Sequence, residues 1–255
     1  MMQEKQKIAF ITGATSGIGK ATAELFAKNN IKLILCGRRQ EKLDALKKTL
    51  QNKTAVHTLN FDVRKKEDVR AAIQSLPEEF ASIDILVNNA GNAHGLDPIQ
   101  SGALEDWDAM IDINVKGLLY VSRAILPGMI QRKNGHIINI GSTAGKEVYP
   151  GGNVYCASKH AVDAINQGMR IDLNENGIRV GAVNPGLVET EFSEVRFKGD
   201  EERAKKVYQG YQPLKPEDIA DIIYFVTTRP YHVNIADLVV MPTAQASSTI
   251  VKKKE

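Results

Sequence analysis

Short apolar runs and longer amphipathic stretches alternate along nearly the whole chain. Lys7–Ile11, Lys32–Cys36, Ala55–Asn60, Ile83–Val87, Gly135–Ile140, Arg179–Val183 and Asp237–Met241 read as strands. Several of these runs are near-continuous in Ile, Leu and Val, as strands covered on both faces require. Between them, Ile18–Lys28, Gln40–Leu50, Lys66–Leu76, Leu104–Gln131, Tyr155–Glu175 and Pro216–Thr227 read as helices. Strands alternating with helices predict right-handed βαβ units and one doubly wound parallel sheet with helices on both faces. No repeat, low-complexity tract or linker divides residues 1–255, so a single domain is expected. Only the segment 186–213 breaks the rhythm. It is charged around two isolated phenylalanines, and is expected to be either a lid over a site or a helical excursion on the surface.

Composition narrows the setting. The 255 residues are 43% hydrophobic and 25% charged, an ordinary balance for a globular protein. A net charge of +3 gives no basis for nucleic-acid binding, and the cluster Lys252, Lys253, Lys254 reads as a solvated, frayed end. No stretch approaches the length of a membrane span, and the polar start Met1–Lys7 lacks the apolar centre of a signal peptide. Two cysteines, Cys36 and Cys156, carry neither a disulfide framework nor metal-ligand spacing. A cytoplasmic protein without a metal is the expectation.

The chemistry begins after the first strand, at Thr12-Gly13-Ala14-Thr15-Ser16-Gly17-Ile18-Gly19-Lys20. Glycines permit a tight turn and let backbone N–H groups approach a pyrophosphate, while the following helix N-terminus favours negative charge. The spacing Gly-x-x-x-Gly-x-Gly, alone, is also that of a plain strand–helix connection. The second strand decides more. It runs into Gly37-Arg38-Arg39, where an acidic residue would accept from a ribose 2′-hydroxyl. Two arginines there suit a 2′-phosphate instead, so NADP(H) is expected over NAD(H).

Tyr155-Cys156-Ala157-Ser158-Lys159 opens a helix after Pro150-Gly151-Gly152, and residues four apart share a helix face. A tyrosine near its ordinary pKa of ~10 is a poor base, and a neighbouring ammonium lowers that value. Ser142 lies just past the fifth strand, Asn88-Asn89-Ala90-Gly91 follows the fourth, and Asn114 lies within the long helix. Loops at the carboxyl ends of parallel strands line the ligand crevice of such sheets.

Together, Thr12–Gly19, Asp62-Val63, Asn88–Gly91, Asn114, Ser142, Tyr155, Lys159 and Pro185-Gly186-Leu187-Val188-Glu189-Thr190 resemble the short-chain dehydrogenase/reductases, in that family's order and over most of the chain. Gly37-Arg38-Arg39, the run His136–Gly145, Gly151–Tyr155 and Val195–Asp200 are similar to the NADP-dependent 3-hydroxy acid dehydrogenases that oxidise L-serine and L-allo-threonine. The resemblance implies a Rossmann-like fold, hydride transfer to or from NADP(H), and a homotetramer built through the long helices. Tyr155 would exchange the proton with the substrate oxygen, and Lys159 would hold the nicotinamide ribose and depress the Tyr155 pKa. Ser142 would bond the reacting oxygen, and Asn114 would help hold a proton-relaying water. Gly13, Thr15, Ser16, Gly17, Ile18 and Gly19 would form the phosphate loop. Arg38 and Arg39 would take the 2′-phosphate, Asp62 and Val63 border the adenine, and Asn89 the adenosine ribose. Pro185, Gly186, Val188 and Thr190 would meet the nicotinamide and the diphosphate.

The chain departs from the pattern at Ser16, where some NADP-preferring relatives carry a basic residue, and at Cys156, read as an inert buried thiol. Arg196, Lys198 and the loop Asn92-Ala93-His94-Gly95 are the candidates to receive a substrate carboxylate, with Arg196 chosen. Another carbonyl substrate (a β-ketoacyl group, a sugar or a hydrophobic ketone) and a non-catalytic NADP sensor or scaffold are the alternatives.

Overall fold

The computed structural model describes residues 6–254. Seven strands form one sheet, in chain order β1 Ile8–Ile11, β2 Lys32–Gly37, β3 Val56–Asn60, β4 Ile85–Asn88, β5 Gly135–Ile140, β6 Ile178–Pro185 and β7 Asp237–Val240. They are arranged β3-β2-β1-β4-β5-β6-β7. Every pairing is parallel, from Ile8 opposite Lys32 to Pro185 opposite Val240. The uniformly apolar runs are explained by their positions: β1, β4 and β5 are buried along their whole length.

Helices cover both faces. The helices α1 Gly17–Lys28, α2 Gln40–Leu50 and α9 Pro216–Thr227 pack one face, burying Phe26, Leu43, Leu46, Ile219 and Ile223 among the side chains of Ile11, Leu33 and Val87. On the other face lie α3 Lys66–Gln74, α5 Leu118–Arg132 and α6 Asn153–Asp172, with Val69, Val121, Ile125 and Met129 against Phe10, Ile34 and Ile137. Full burial of one such side chain contributes about 1.5–3 kcal/mol. Two short helices, α7 Phe192–Arg196 and α8 Glu201–Val207, occupy the segment that breaks the strand–helix rhythm. Among the described residues, no helix is long and apolar enough to cross a membrane.

Two expectations change. The long helix is not regular: α4 Leu104–Ile111 leads into α5 through a wider π turn, Asp112–Gly117, which carries Asn114. A helical turn of this kind accommodates an extra residue and re-aims the side chains on it. The C-terminal lysines also do not fray. The Lys252 and Lys254 amides donate to the Ala244 and Gly210 carbonyls at 2.8 and 2.6 Å, and the Lys253 ammonium reaches the Lys206 carbonyl at 3.2 Å. Backbone pairing fixes this strap while its side chains stay in solvent, a distinction that charge alone cannot convey.

At the far end of the sheet from the carboxyl-end loops, His136 is 2% exposed and neither ring nitrogen has a partner among the described residues. Burial, with the positive Arg179 and Lys7 nearby, pushes its pKa down to about 3. Below pH ~6.5 the unfolded chain therefore gains a proton that the folded chain refuses, and stability falls. Denaturant unfolding should show stability declining between pH 6.5 and 4, with His136 contributing up to about 1.4 kcal/mol per pH unit. The His136→Leu variant should show a shallower decline; an unchanged slope would assign the acid sensitivity elsewhere.

Candidate active site

The strand order reverses direction between β1 and β4, and there the loops after the strands diverge to leave a crevice. A cavity of about 560 Å³ fills it, running from Gly37, Arg38 and Arg39 after β2 to Ser142, Tyr155 and Arg196.

The glycine loop forms one wall. Gly13 and Gly17 have φ of 64° and 50°, the left-handed region in which a side chain is strained. A Cβ on Gly13 would stand 2.9 Å from Asn89 Nδ2 and 3.0 Å from Ala90 Cα, so the loop and the Asn89 turn can approach only because it is glycine. Thr12 joins them. Its hydroxyl accepts from the backbone N–H groups of Asn89 and Ala90, both at 2.8 Å, while Asn89 Nδ2 returns a bond to the Thr12 carbonyl at 2.8 Å. Thr15, Ser16, Gly17 and Ile18 line the cavity, whereas Gly19 lies beneath it, packed close to Gly13 and Asn89. A side chain at Gly19 would collide with the Gly13 carbonyl and Asn89, so the close packing of this loop requires glycine there.

Asp62 and Val63 lie on the wall after β3. The Asp62 carboxylate is clamped by Arg64 at 2.6 and 3.0 Å, and these bonds outweigh burial to hold it below the ordinary carboxylate range. Pro185, Gly186, Val188 and Thr190 line the opposite wall beyond β6. Buried Gln245 fixes that wall, its Oε1 accepting from the Leu187 N–H at 2.9 Å.

The inner end gathers Ser142, Tyr155 and Lys159. Ser142 caps a short helical turn, Thr143–Gly145, its hydroxyl accepting from the Ala144 N–H at 3.1 Å. Tyr155 and Lys159 are one turn apart on α6, 8% and 7% exposed. The Lys159 ammonium donates to the Ile140 carbonyl at 2.9 Å, and burial pushes its pKa down to about 8. Burial pushes the Tyr155 phenol well up; Tyr149 adds to the rise, and Arg196 and Ser142 oppose it. Desolvation dominates because the ring sits among Tyr149, Cys156, Ala144 and Phe192.

Asn114 stands behind this wall and not on it. It is 2% exposed, donates to the Asn92 carbonyl at 2.8 Å and Ser158 Oγ at 3.0 Å, and accepts from the Asn92 N–H at 2.9 Å. It thereby fixes the loop after β4 to α6.

Arg196 is brought to the site. Its guanidinium carbon lies 5.0 Å from the Tyr155 ring centre, 5.4 Å from Phe192 and 5.7 Å from Tyr149, and Nη2 donates to the Tyr149 hydroxyl at 2.6 Å. Lys198 is not: it pairs outward with Asp106 at 2.9 Å. Of the loop 92–95, Asn92 lines the cavity, and His94 lines a smaller neighbouring pocket. Cys156 is fully buried and burial raises its pKa, as an inert thiol requires.

The family model described as short chain dehydrogenase matches residues 7–201. The chain belongs to the short-chain dehydrogenase family. It is 49% identical over 240 residues to the NADP-dependent 3-hydroxy acid dehydrogenase of Salmonella typhi, covering 94% of this chain and 96% of that one. It is 46% identical to sulfoacetaldehyde reductase 2 of Chromohalobacter salexigens, with 94% and 96% covered. A solved closed form of serine dehydrogenase complexed with NADP+ superposes with a TM-score of 0.91 at 46% identity, covering 97% of this chain and 100% of that chain.

Thr12, Tyr149, Phe192 and Glu191 were not among the residues singled out for the site by sequence, although Thr12 opens the glycine loop. No short motif marks the other three for the crevice. Within this short-chain dehydrogenase, Thr12→Val should be costly, since it removes the acceptor of two backbone N–H groups at once. Thermal or denaturant unfolding should register a loss of roughly 2–4 kcal/mol; a loss under about 0.5 kcal/mol would mean that water replaces the hydroxyl.

Proposed function

We propose that the chain is an NADP-dependent oxidoreductase that oxidises the hydroxyl of small 3-hydroxy acids such as L-serine and L-allo-threonine, or reduces the corresponding carbonyl. The observation that carries the substrate class is Arg196. Its guanidinium lies over the Tyr155 ring, is bonded to a neutral phenol, and leaves Nε buried without a partner among the described residues. A cation so placed calls for an anion within reach of the reacting carbon.

The crevice fits a dinucleotide carrying a 2′-phosphate. Gly13 and Gly17 line it at the N-terminus of α1, where backbone N–H groups would receive the pyrophosphate, and Arg38 and Arg39, on the wall after β2, would receive the 2′-phosphate. When bound, oxidised nicotinamide supplies the hydride acceptor and a positive charge beside the phenol. Tyr155 takes the proton from the substrate hydroxyl at its phenolic oxygen, or returns it in the reductive direction. Ser142 donates to the same substrate oxygen and favours the charge that develops there. Lys159, anchored on the Ile140 carbonyl, presents its charge to the cofactor ribose and to Tyr155. Asn114 acts from behind, holding Asn92 and Ser158 in register, and would thereby help to hold a proton-relaying water near Lys159. Thr190, Val188, Gly186 and Pro185 hold the nicotinamide side; Asp62, Val63 and Asn89 hold the adenosine side. The short helices of 186–213 act as a lid that keeps water from Tyr155.

The same guanidinium suits a sulfonate, and the 46% identity to a sulfoacetaldehyde reductase supports that second reading. The protein is further read as a cytoplasmic homotetramer. The exposed Leu119 and Ile130 on α5, with Ile171 on α6, support association through these helices.

Absorbance at the reduced-nicotinamide band tests the proposal directly. NADP with L-serine should give turnover, and NAD or simple alcohols much less. Tyr155→Phe should reduce kcat by about 10²–10⁴-fold while NADPH still binds. Turnover confined to sulfonates or to uncharged carbonyls would replace the substrate, and no turnover despite NADPH binding would make the protein a sensor. Arg196→Ala should raise KM for L-serine by about 10- to 100-fold. Unchanged KM and kcat would remove Arg196 from substrate binding.

A further inference from the structure

The arginine that follows β2 is tied to more than the glycine loop. Arg39 Nε and Nη2 donate to Thr15 Oγ1 at 3.2 and 3.0 Å, and Nη2 donates to Ser16 Oγ at 2.8 Å. Its remaining Nη1 donates to Glu191 Oε2 at 2.8 Å, and Lys42 donates to Glu191 Oε1 at 2.9 Å. One carboxylate, carried in from beyond β6, thus occupies two cations at the end of β2. Burial alone would raise the Glu191 carboxyl, but Arg39 and Lys42 hold it below the ordinary range, so it is charged at neutral pH.

The loop hydroxyls fix the plane of the Arg39 guanidinium without Glu191. The carboxylate therefore adds little orientation. What it takes up is donor capacity, on the one edge of Arg39 that the loop leaves free and on an ammonium three residues further on the same helical turn. A ribose 2′-phosphate needs those same donors, and it is repelled by a carboxylate already holding them.

We propose that Glu191 is an internal competitor for the 2′-phosphate, and that Lys42 is a third cation of that subsite, masked by Glu191 until the phosphate displaces it. Glu191 is then a specificity-determining residue: it weakens NADP(H) and leaves NAD(H) untouched, narrowing the preference that Arg38 and Arg39 create. Because the three side chains are 41–47% exposed, each ion pair is screened and the competition is moderate.

This inference rests on the reading of NADP(H) as the cofactor, and the test separates the two. Wild type, Glu191→Gln and the double variant Glu191→Gln with Lys42→Gln are titrated with NADPH and NADH by nucleotide fluorescence, and with 2′,5′-ADP by calorimetry. Glu191→Gln should bind NADPH and 2′,5′-ADP about 3- to 10-fold more tightly, with NADH changed by less than about two-fold. Adding Lys42→Gln should remove most of that gain. Unchanged or weaker NADPH binding by Glu191→Gln, or equal tightening of NADH, overturns the competition. A gain that survives Lys42→Gln removes Lys42 from the subsite. A wild-type protein that binds neither NADPH nor 2′,5′-ADP overturns the cofactor reading itself.

Discussion

A parallel sheet buried on both faces constrains everything else in this molecule. Its strands must all begin at one end and finish at the other, so each connection crosses back over a face as a helix. The loops that leave the carboxyl ends are the segments free to carry chemistry. Where β1 and β4 lie side by side, consecutive loops turn to opposite faces, and the crevice between them is a product of strand order. The glycine loop, the Asn88–Gly91 turn, Ser142 and the Pro185–Thr190 wall all meet there because each follows one of these strands.

Close packing around that crevice makes its polar groups answer to burial first. A chain of buried amides crosses the sheet, with Asn88 bonded to Ser122 and Asn139 at 2.9 Å, and Asn139 bonded to Asn166 at 3.0 Å. Hydrogen bonds between buried amides fix strand ends against one another. The charged form of Lys159 is held by the Ile140 carbonyl yet made easier to deprotonate by desolvation, and Tyr155 is made harder to ionise by the same cause. Both side chains are therefore governed by burial before any ligand is considered.

Charge at the two ends of the cavity is handled in opposite ways. At the inner end Arg196 is half enclosed by aromatic rings and, among the described residues, pairs with no carboxylate. At the outer end Arg39 is already paired with Glu191 in solvent, where exchange with another anion costs little. Both residues come from or touch the segment between Thr190 and Arg196, so one short stretch of chain reaches both ends.

Periodicity and motif determined much of this from the sequence alone. The seven strands, the helices between them, the phosphate loop, the two arginines after β2 and the Tyr155–Lys159 pair were legible because each is a local pattern of four to twenty residues. The bonds of Asn114 to Asn92 and Ser158 and the tying down of Lys252–Lys254 were not, since each depends on a partner distant in the chain. Arg196 over Tyr155, Tyr149 beneath it, and Glu191 on Arg39 and Lys42 belong to the same class. Glu191 stands 152 residues from Arg39, and nothing near it in sequence specifies that contact. Local side-chain order sets which elements form, through backbone geometry and hydrophobic period. Which charges and hydroxyls meet is decided only when the sheet order and its loops bring distant strand ends to one crevice.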